Sequence, residues 1–355
     1  MTETSIRVAI AGAGTIANLT HIEGWREAGA EVVAVADTFP GRAERFAAKW
    51  DIPHAFESVA EMVAAVPEID VVSICVPPFA HHDVAMTSLE AGKHIYLEKP
   101  SAMNEAEMVA INDAAHRVGK LIMTGSHSVY SPNLQTVKRY IDTGHLGEIY
   151  FVKSVSDRRR GTARGWFRKK ALGGGGVGMD TGSHAVDRVL FLLGSPKPLS
   201  VTARTYTKFG DYIPEHSYQA VDIAEGIESD VTEADVEDML VAFVQFENGL
   251  TAIFENTWAV NMEGINGLWF YGTEAGLSVS DGMVYGETEE GVLTNTQLAF
   301  PTGFGRHTDA FASFIASIRA GEETQSPGER GILTMRILDA IYASAAEGGK
   351  QISLD

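Results

Sequence analysis

Two short stretches of the chain carry side chains suited to moving protons. In "HIYLEKPSA", residues 94–102, an apolar run from Ile95 to Leu97 ends in Glu98, Lys99 and Pro100. Charged groups at the end of a buried strand are costly unless they are partnered or have a task. A lysine partly withdrawn from water releases its proton more readily than an exposed one, which suits exchange with a hydroxyl group. Pro100 fixes the backbone dihedral beside it, consistent with a rigid turn. The competing reading is a surface lysine paired with Glu98. In "GGGGVGMDTGSHAVDRVLFLLG", residues 173–194, Asp180 and His184 stand four apart and Asp187 three further on. On an α-helix these share a side, and a carboxylate beside an imidazole orients it and favours its charged form, as a proton acceptor near neutral pH needs. The competing reading is an acidic residue at a helix N-terminus and a buried, satisfied histidine. A zinc site on this pair, or on adjacent His81 and His82, lacks third and fourth ligands at recognisable spacing, so no metal is expected.

A glycine turn supplies the third element. Gly12, Gly14 and Ala17 spell G-x-G-x-x-A directly after the apolar run Arg7 to Ala11. Gly12 allows a tight strand-to-helix turn, Gly14 lets a pyrophosphate approach the backbone, and Ala17 lets helix pack close on strand. Asp37 closes the next apolar run about 20 residues after Ala17, where an acidic side chain binds the hydroxyls of an adenosine ribose. A carboxylate there repels a 2′-phosphate, which favours NAD, while Arg42 keeps NADP as the alternative. Without a ligand the same residues amount to a bare turn and a capping aspartate.

The elements that hold these groups follow from the hydrophobic pattern. Short apolar runs at Arg7–Ala11, Glu31–Ala36, Val71–Val76, His94–Leu97 and Leu121–Thr124 alternate with stretches of helical spacing, such as Ile16, Leu19, Ile22 and Trp25 in the segment that Gly29 ends. Strands alternating with helices imply βαβ units and a doubly wound parallel sheet, expected over residues 1–125. Ligands bind outside the carboxyl ends of such strands. The cofactor contacts are therefore expected at Gly12, Gly14, Thr15, Ile16, Asp37 and Arg42, and at Val76, Pro77, His81, Glu98 and Lys99 on the later strand ends. Residues 126–355 change character: "IYFVKSVSDR", "LSVTARTYT" and "INGLWFYGTEAGLSV" are β-rich, and "EDMLVAFVQFENGLTAIFENTWAV" carries a hairpin turn signal at Glu247-Asn248-Gly249. A second α+β domain with an open, mostly antiparallel sheet is expected there, followed by core helices from Asp309 through Gly348.

Composition bounds the partners. A formal net charge of −19 argues against nucleic acid or anionic membrane, whose binders carry a basic footprint. A single cysteine, Cys75, excludes an internal disulfide and fits a reducing compartment, where it reads as a small buried hydrophobe. No run approaches a membrane span and "MTETSIRVAI" lacks the features of a signal peptide, so the cytoplasm is expected.

Taken together, "CVPPFAHHDVAMTSLEAGKHIYLEKP", the glycine run with D-x-G-x-H, "GLTAIFENTW" and the closing "RILDAIYASAAEGGKQISL" resemble the Gfo/Idh/MocA family of NAD(P)-dependent oxidoreductases, which includes glucose-fructose oxidoreductase and inositol 2-dehydrogenase. The resemblance covers nearly the whole chain. It implies a Rossmann domain followed by a substrate-binding and oligomerisation domain, and makes Lys99, Asp180 and His184 the catalytic set. The implied reaction is reversible oxidation of a secondary alcohol of a sugar, sugar derivative or cyclitol, with the hydroxyl between Lys99 and His184 as a coupled acid–base pair. It also implies a homodimer or homotetramer through the open sheet. Two other classes share the architecture: enzymes that keep NAD bound and cleave glycosides, and dinucleotide-sensing regulators without catalysis. The presence of both Lys99 and His184 favours an enzyme.

The substrate is addressed only indirectly. Residues 158–170, "RRRGTARGWFRKK", hold seven basic residues in an otherwise acidic chain, which suggests an anionic substrate group or a solvated loop balancing the nine acids of residues 211–237. That acidic stretch is long enough for a lid or interface arm. Arg158 and Trp166 are expected on the substrate; Trp166 and Trp258 have faces able to stack on a sugar ring, with buried core tryptophans an equally strong reading. Many members of the family carry an Asn and an Arg in a G-F-N-x-R-like segment where this chain reads "GSHSVYSP". His127 takes that place as the expected substrate contact, and the contacts of sugar-oxidising relatives do not transfer there.

Overall fold

The computed structural model describes residues 5–161, 163, 165–209, 234–301 and 307–354. Most of the acidic stretch 211–237, from residue 211 to 233, lies outside them, as do Thr162 and Arg164 of the basic stretch. The described chain forms two compact units, one from the residues up to 127 with 307–332, the other from 128–301 with 333–354.

In the first unit six strands, β1 (Arg7–Ala11), β2 (Glu31–Ala36), β3 (His54–Phe56), β4 (Val71–Ile74), β5 (His94–Leu97) and β6 (Ile122–Thr124), pair in parallel in the order 3-2-1-4-5-6. That is the order of a doubly wound dinucleotide-binding sheet. The β-branched runs are near-continuous because both faces are covered: Val8, Ile10, Val71, Ile74, Ile95 and Leu97 have no exposed surface. β4 ends two residues before the expected Val76, and β3 gave no signal, being three residues long and only partly buried. Trp25 stacks on Phe311 with ring centroids 4.3 Å apart, so the helix His307–Ala320, far downstream in sequence, packs against this unit.

The helix after β1 departs from the expected α-helical spacing. It begins with a π-helical turn, Ala17–His21, before the α-helix Ile22–Glu27. A π turn holds one residue more than an α turn, so the inward-facing position slips. His21 is completely buried while Leu19, which the spacing places in the core, is 50% exposed.

The second unit is built on nine strands: β7 (Ile149–Asp157), β8 (Pro198–Tyr206), β9 (Met239–Phe246), β10 (Thr251–Thr257), β11 (Asn266–Gly272), β12 (Gly276–Ser278), β13 (Met283–Glu287), β14 (Leu293–Gln297) and β15 (Ile352–Ser353). They lie in the order 14-13-12-11-7-10-9-8-15, antiparallel except for the parallel pair β7–β10. The β9–β10 turn falls where the sequence places it, with Asn248 and Gly249 at φ +62° and +76°. Along β9 Leu240, Ala242, Val244 and Phe246 face the core while Val241 and Phe243 are 40% and 42% exposed, so one face of the sheet is left open. The helix Ser183–Leu193 is also entered through a π turn, Gly178–Gly182. Asp180 is buried in this turn and His184 is half-buried on the helix that follows. No helix among the described residues is long and apolar enough to cross a membrane.

Candidate active site

The glycine turn is built as a dinucleotide cradle. Gly12 has φ +97°, and a Cβ there would lie 2.9 Å from the backbone of Cys75 and Val76, so only glycine fits between β1 and the end of β4. A Cβ at Gly14, in contrast, meets nothing within 4 Å, which leaves the backbone of the turn open to a phosphate. Asp37 at the end of β2 accepts hydrogen bonds from the backbone N–H groups of Ala13 (2.9 Å) and Phe39 (2.8 Å). Its oxygens have lone pairs left for ribose hydroxyls. The Arg42 guanidinium lies 3.5 Å from Asp37 and 4.4 Å from the centre of the Phe39 ring. It is thus drawn toward the carboxylate rather than held out for a 2′-phosphate. The residues present fit NAD.

At the end of β5 a buried hydrogen-bonded chain fixes the backbone of Lys99. The Trp25 indole N–H donates to Ser73 Oγ (2.9 Å), Ser73 Oγ meets His21 Nδ1 (2.9 Å), and His21 Nε2 donates to Glu98 Oε1 (3.0 Å). Glu98 Oε2 then accepts from the Lys99 backbone N–H (3.1 Å). Burial pushes the Glu98 carboxyl upward, but the hydrogen bond and charge of His21, with His307 and Lys99 nearby, hold it at about 2. The charge is therefore permanent. Cys75 is buried as expected, yet it is not simply apolar filling, since its Sγ lies 3.3 Å from His21 Nδ1. Lys99 itself is half-buried.

His81 and His127 flank this strand end in the same unit. His81 donates through Nε2 to the carbonyl of Val76 (2.8 Å), next to Pro77, and burial lowers its pKa. His127 stacks on His307, centroids 3.9 Å apart. Burial lowers both, and with the charge of His127 beside it His307 falls to about 4, so the pair is neutral at physiological pH.

The second unit carries the other expected groups. Trp258 is 1% exposed and donates its indole N–H to Asp180 Oδ2 (2.9 Å). Of the two readings of Trp258, sugar stacking and core, burial selects the core: the ring is inaccessible to a sugar, and its polar edge orients the carboxylate. Asp187 is buried on the same helix as His184. Trp166 is half-buried and stacks on Phe167, and Arg158 is half-buried at the end of β7. Sequence reasoning missed His21, His307 and Glu237. The first was hidden by the π turn, and the other two belong to no motif near the residues they serve.

A model of the oxidoreductase family with an NAD-binding Rossmann fold, Gfo/Idh/MocA, matches residues 6–126, and a model of the Gfo/Idh/MocA C-terminal domain matches residues 134–278. The chain is 30% identical to a D-glucoside 3-dehydrogenase of Escherichia coli (strain K12) over 353 residues, 98% of this chain and 97% of that protein. It is 27% identical to an inositol 2-dehydrogenase of Rhizobium meliloti (strain 1021) over 366 residues, 99% of each. A levoglucosan dehydrogenase solved with NADH superposes with a TM-score of 0.81 at 20% identity, over 99% of this chain and 100% of that one, a likeness of fold.

Proposed function

The chain belongs to the Gfo/Idh/MocA family of NAD-binding oxidoreductases, and from that premise we propose that it oxidises a secondary alcohol of a sugar, sugar derivative or cyclitol with NAD. The observation that carries the reading is the anchored strand end: Lys99 leaves β5 in the unit that holds the glycine cradle, and its backbone is fixed by a buried, ionised Glu98. Gly12, Gly14, Thr15, Ile16, Asp37 and the ends of β4 and β5 hold the cofactor. Bound nicotinamide supplies the hydride acceptor. Lys99 and His184 share the proton of the substrate hydroxyl, and Asp180, oriented by Trp258, orients His184 or binds a neighbouring hydroxyl. His127, Arg158 and Trp166 contact the rest of the substrate. The neutral His127–His307 pair adds no charge and suits a polyol. NAD is favoured over NADP because Asp37 occupies the end of β2 with Arg42 drawn against it. The open sheet face, with Val241, Phe243, Tyr271 and Tyr285 each at least 40% exposed, supports assembly into a homodimer or homotetramer. The cytoplasm is the proposed location.

The roles are tested by Lys99→Ala and His184→Ala in an assay for NAD reduction. Each is expected to lose about 1,000-fold in turnover; NADH affinity stays within a few-fold in His184→Ala, while Lys99→Ala, which also removes a cofactor contact, weakens NADH by far less than it lowers turnover. Full turnover in either variant removes that residue from the mechanism.

A further inference from the structure

The glycine run before Asp180 is shaped around one buried side chain, Glu237. Three successive amide groups at the start of the helical segment end on this residue. Gly176 N–H donates to the carboxylate at 3.1 Å and 3.0 Å, Gly178 N–H donates to Oε1 at 2.8 Å, and Val177 N–H donates to the Glu237 carbonyl at 3.1 Å. The Tyr342 hydroxyl adds a further donor to Oε1 at 2.9 Å. A helix start leaves such N–H groups without intrahelical partners, and here a carboxylate from the entry to β9 collects them. The approach is so close that a Cβ at Gly176 would fall inside the van der Waals envelope of the Glu237 carbonyl oxygen. Gly175, Gly176 and Gly178 are therefore glycine because Glu237 and Tyr342 occupy the space a side chain would need. The segment so held runs through Asp180, whose N–H bonds to the Gly176 carbonyl (3.0 Å), into the helix that carries His184.

We propose that Glu237, seconded by Tyr342, is the positioning residue for Asp180 and His184: its carboxylate fixes the π-helical turn that aims both groups. The proposal rests on the assignment of Asp180 and His184 to the reaction. It requires a negatively charged acceptor, since a neutral amide of the same shape turns one oxygen into a donor facing Gly176 N–H. Glu237 is buried and its carboxylate is taken up by Gly176, Gly178 and Tyr342, so its loss is expected to lower turnover without weakening cofactor binding.

The test combines Glu237→Gln, Glu237→Asp and Tyr342→Phe with a crystal structure of Glu237→Gln and NAD reduction on methyl β-D-glucoside and myo-inositol. Glu237→Gln is expected to reduce kcat about 100-fold, as displacement of reacting groups by about 1 Å does, with NADH affinity within about twofold of wild type. Glu237→Asp restores part of the loss, and Tyr342→Phe, which removes one donor, costs about fivefold. The Glu237→Gln structure shows residues 176–180 displaced and the Asp180–Trp258 bond broken. An unmoved Asp180 in that structure overturns the proposal, as does wild-type turnover in Glu237→Gln beside an inactive His184→Ala. Full turnover in His184→Ala overturns the site assignment beneath it and the proposal with it. Should Glu237→Gln fail to fold, wild-type kcat in folded Tyr342→Phe overturns the proposal and the fivefold loss sustains it.

Discussion

Lys99 stands where a regular strand stops, and Asp180 where an irregular helix starts, yet each is anchored by a buried glutamate. Glu98 is compensated by an imidazole from another element, His21, and is held at about 2. Glu237 is compensated by backbone amides and a phenol alone, and burial leaves its pKa raised despite those bonds. An imidazole partner and a ring of backbone and phenol donors can thus satisfy the same hydrogen-bonding need while leaving the two carboxyls shifted in opposite directions. The first anchor withstands acid. The second depends on a closely fitted backbone, which is why its neighbours are glycines.

The difference can be broken most forcefully from the lysine side. Trp25 is fully buried, stacks on Phe311 and heads the chain of bonds to Glu98. Trp25→Ala is expected to destabilise the first unit by about 3–5 kcal/mol, read as a fall in the denaturant midpoint. Glu98→Gln keeps the shape but leaves His21 facing an amide; about a tenfold loss in kcat is expected, as for one charge-assisted bond. Measured beside Glu237→Gln, it shows which anchor matters more to turnover. Asp37→Ala is expected to weaken NAD about tenfold and to narrow the preference over NADP, measured by fluorescence titration with each reduced cofactor.

The fold was largely legible, the anchors were not. β1, β2 and β5 begin and end where their apolar runs do, and the β9–β10 turn sits on its Asn-Gly signal. The glycine turn after β1 and the acid at the end of β2 were readable because strand, turn, helix and acid form a local pattern. His21 was invisible because a π turn has no signature in hydrophobic spacing, and a second such turn leads into the helix that carries His184. Glu237 was counted only as one acid in an acidic stretch, because its meaning lies in contacts with residues about 60 positions earlier and 105 later.

The smallest expected effect is the most diagnostic of the contrast. In the first unit burial lowers His81, His94, His127 and His307, with His94 and His307 at about 4. Between pH 4 and the unfolded histidine value of about 6.5 the unfolded state binds more protons, so this unit loses stability as pH falls through that window. In the second unit burial and Glu255 raise Asp157 to about 6, and Glu237 is raised as well. There the native state binds more protons between the unfolded carboxylate value of about 4 and pH 6, so stability is lost as pH rises. Hydrogen exchange, corrected for intrinsic rates, should show β1–β6 less protected at pH 4.5 than at pH 7 and β7–β10 changing in the opposite sense. A common direction in both units contradicts the contrast.

The most direct test of the central claim is absorbance at the reduced-nicotinamide band while cyclitols, free sugars, sugar acids and glycosides are offered to the purified protein with NAD and then with NADP. Reduced nicotinamide is expected from a neutral polyol or sugar with NAD, and Lys99→Ala abolishes it. Sugar released from a glycoside by protein that keeps its NAD, with no net reduction across the panel, would contradict it and identify a retained-cofactor hydrolase.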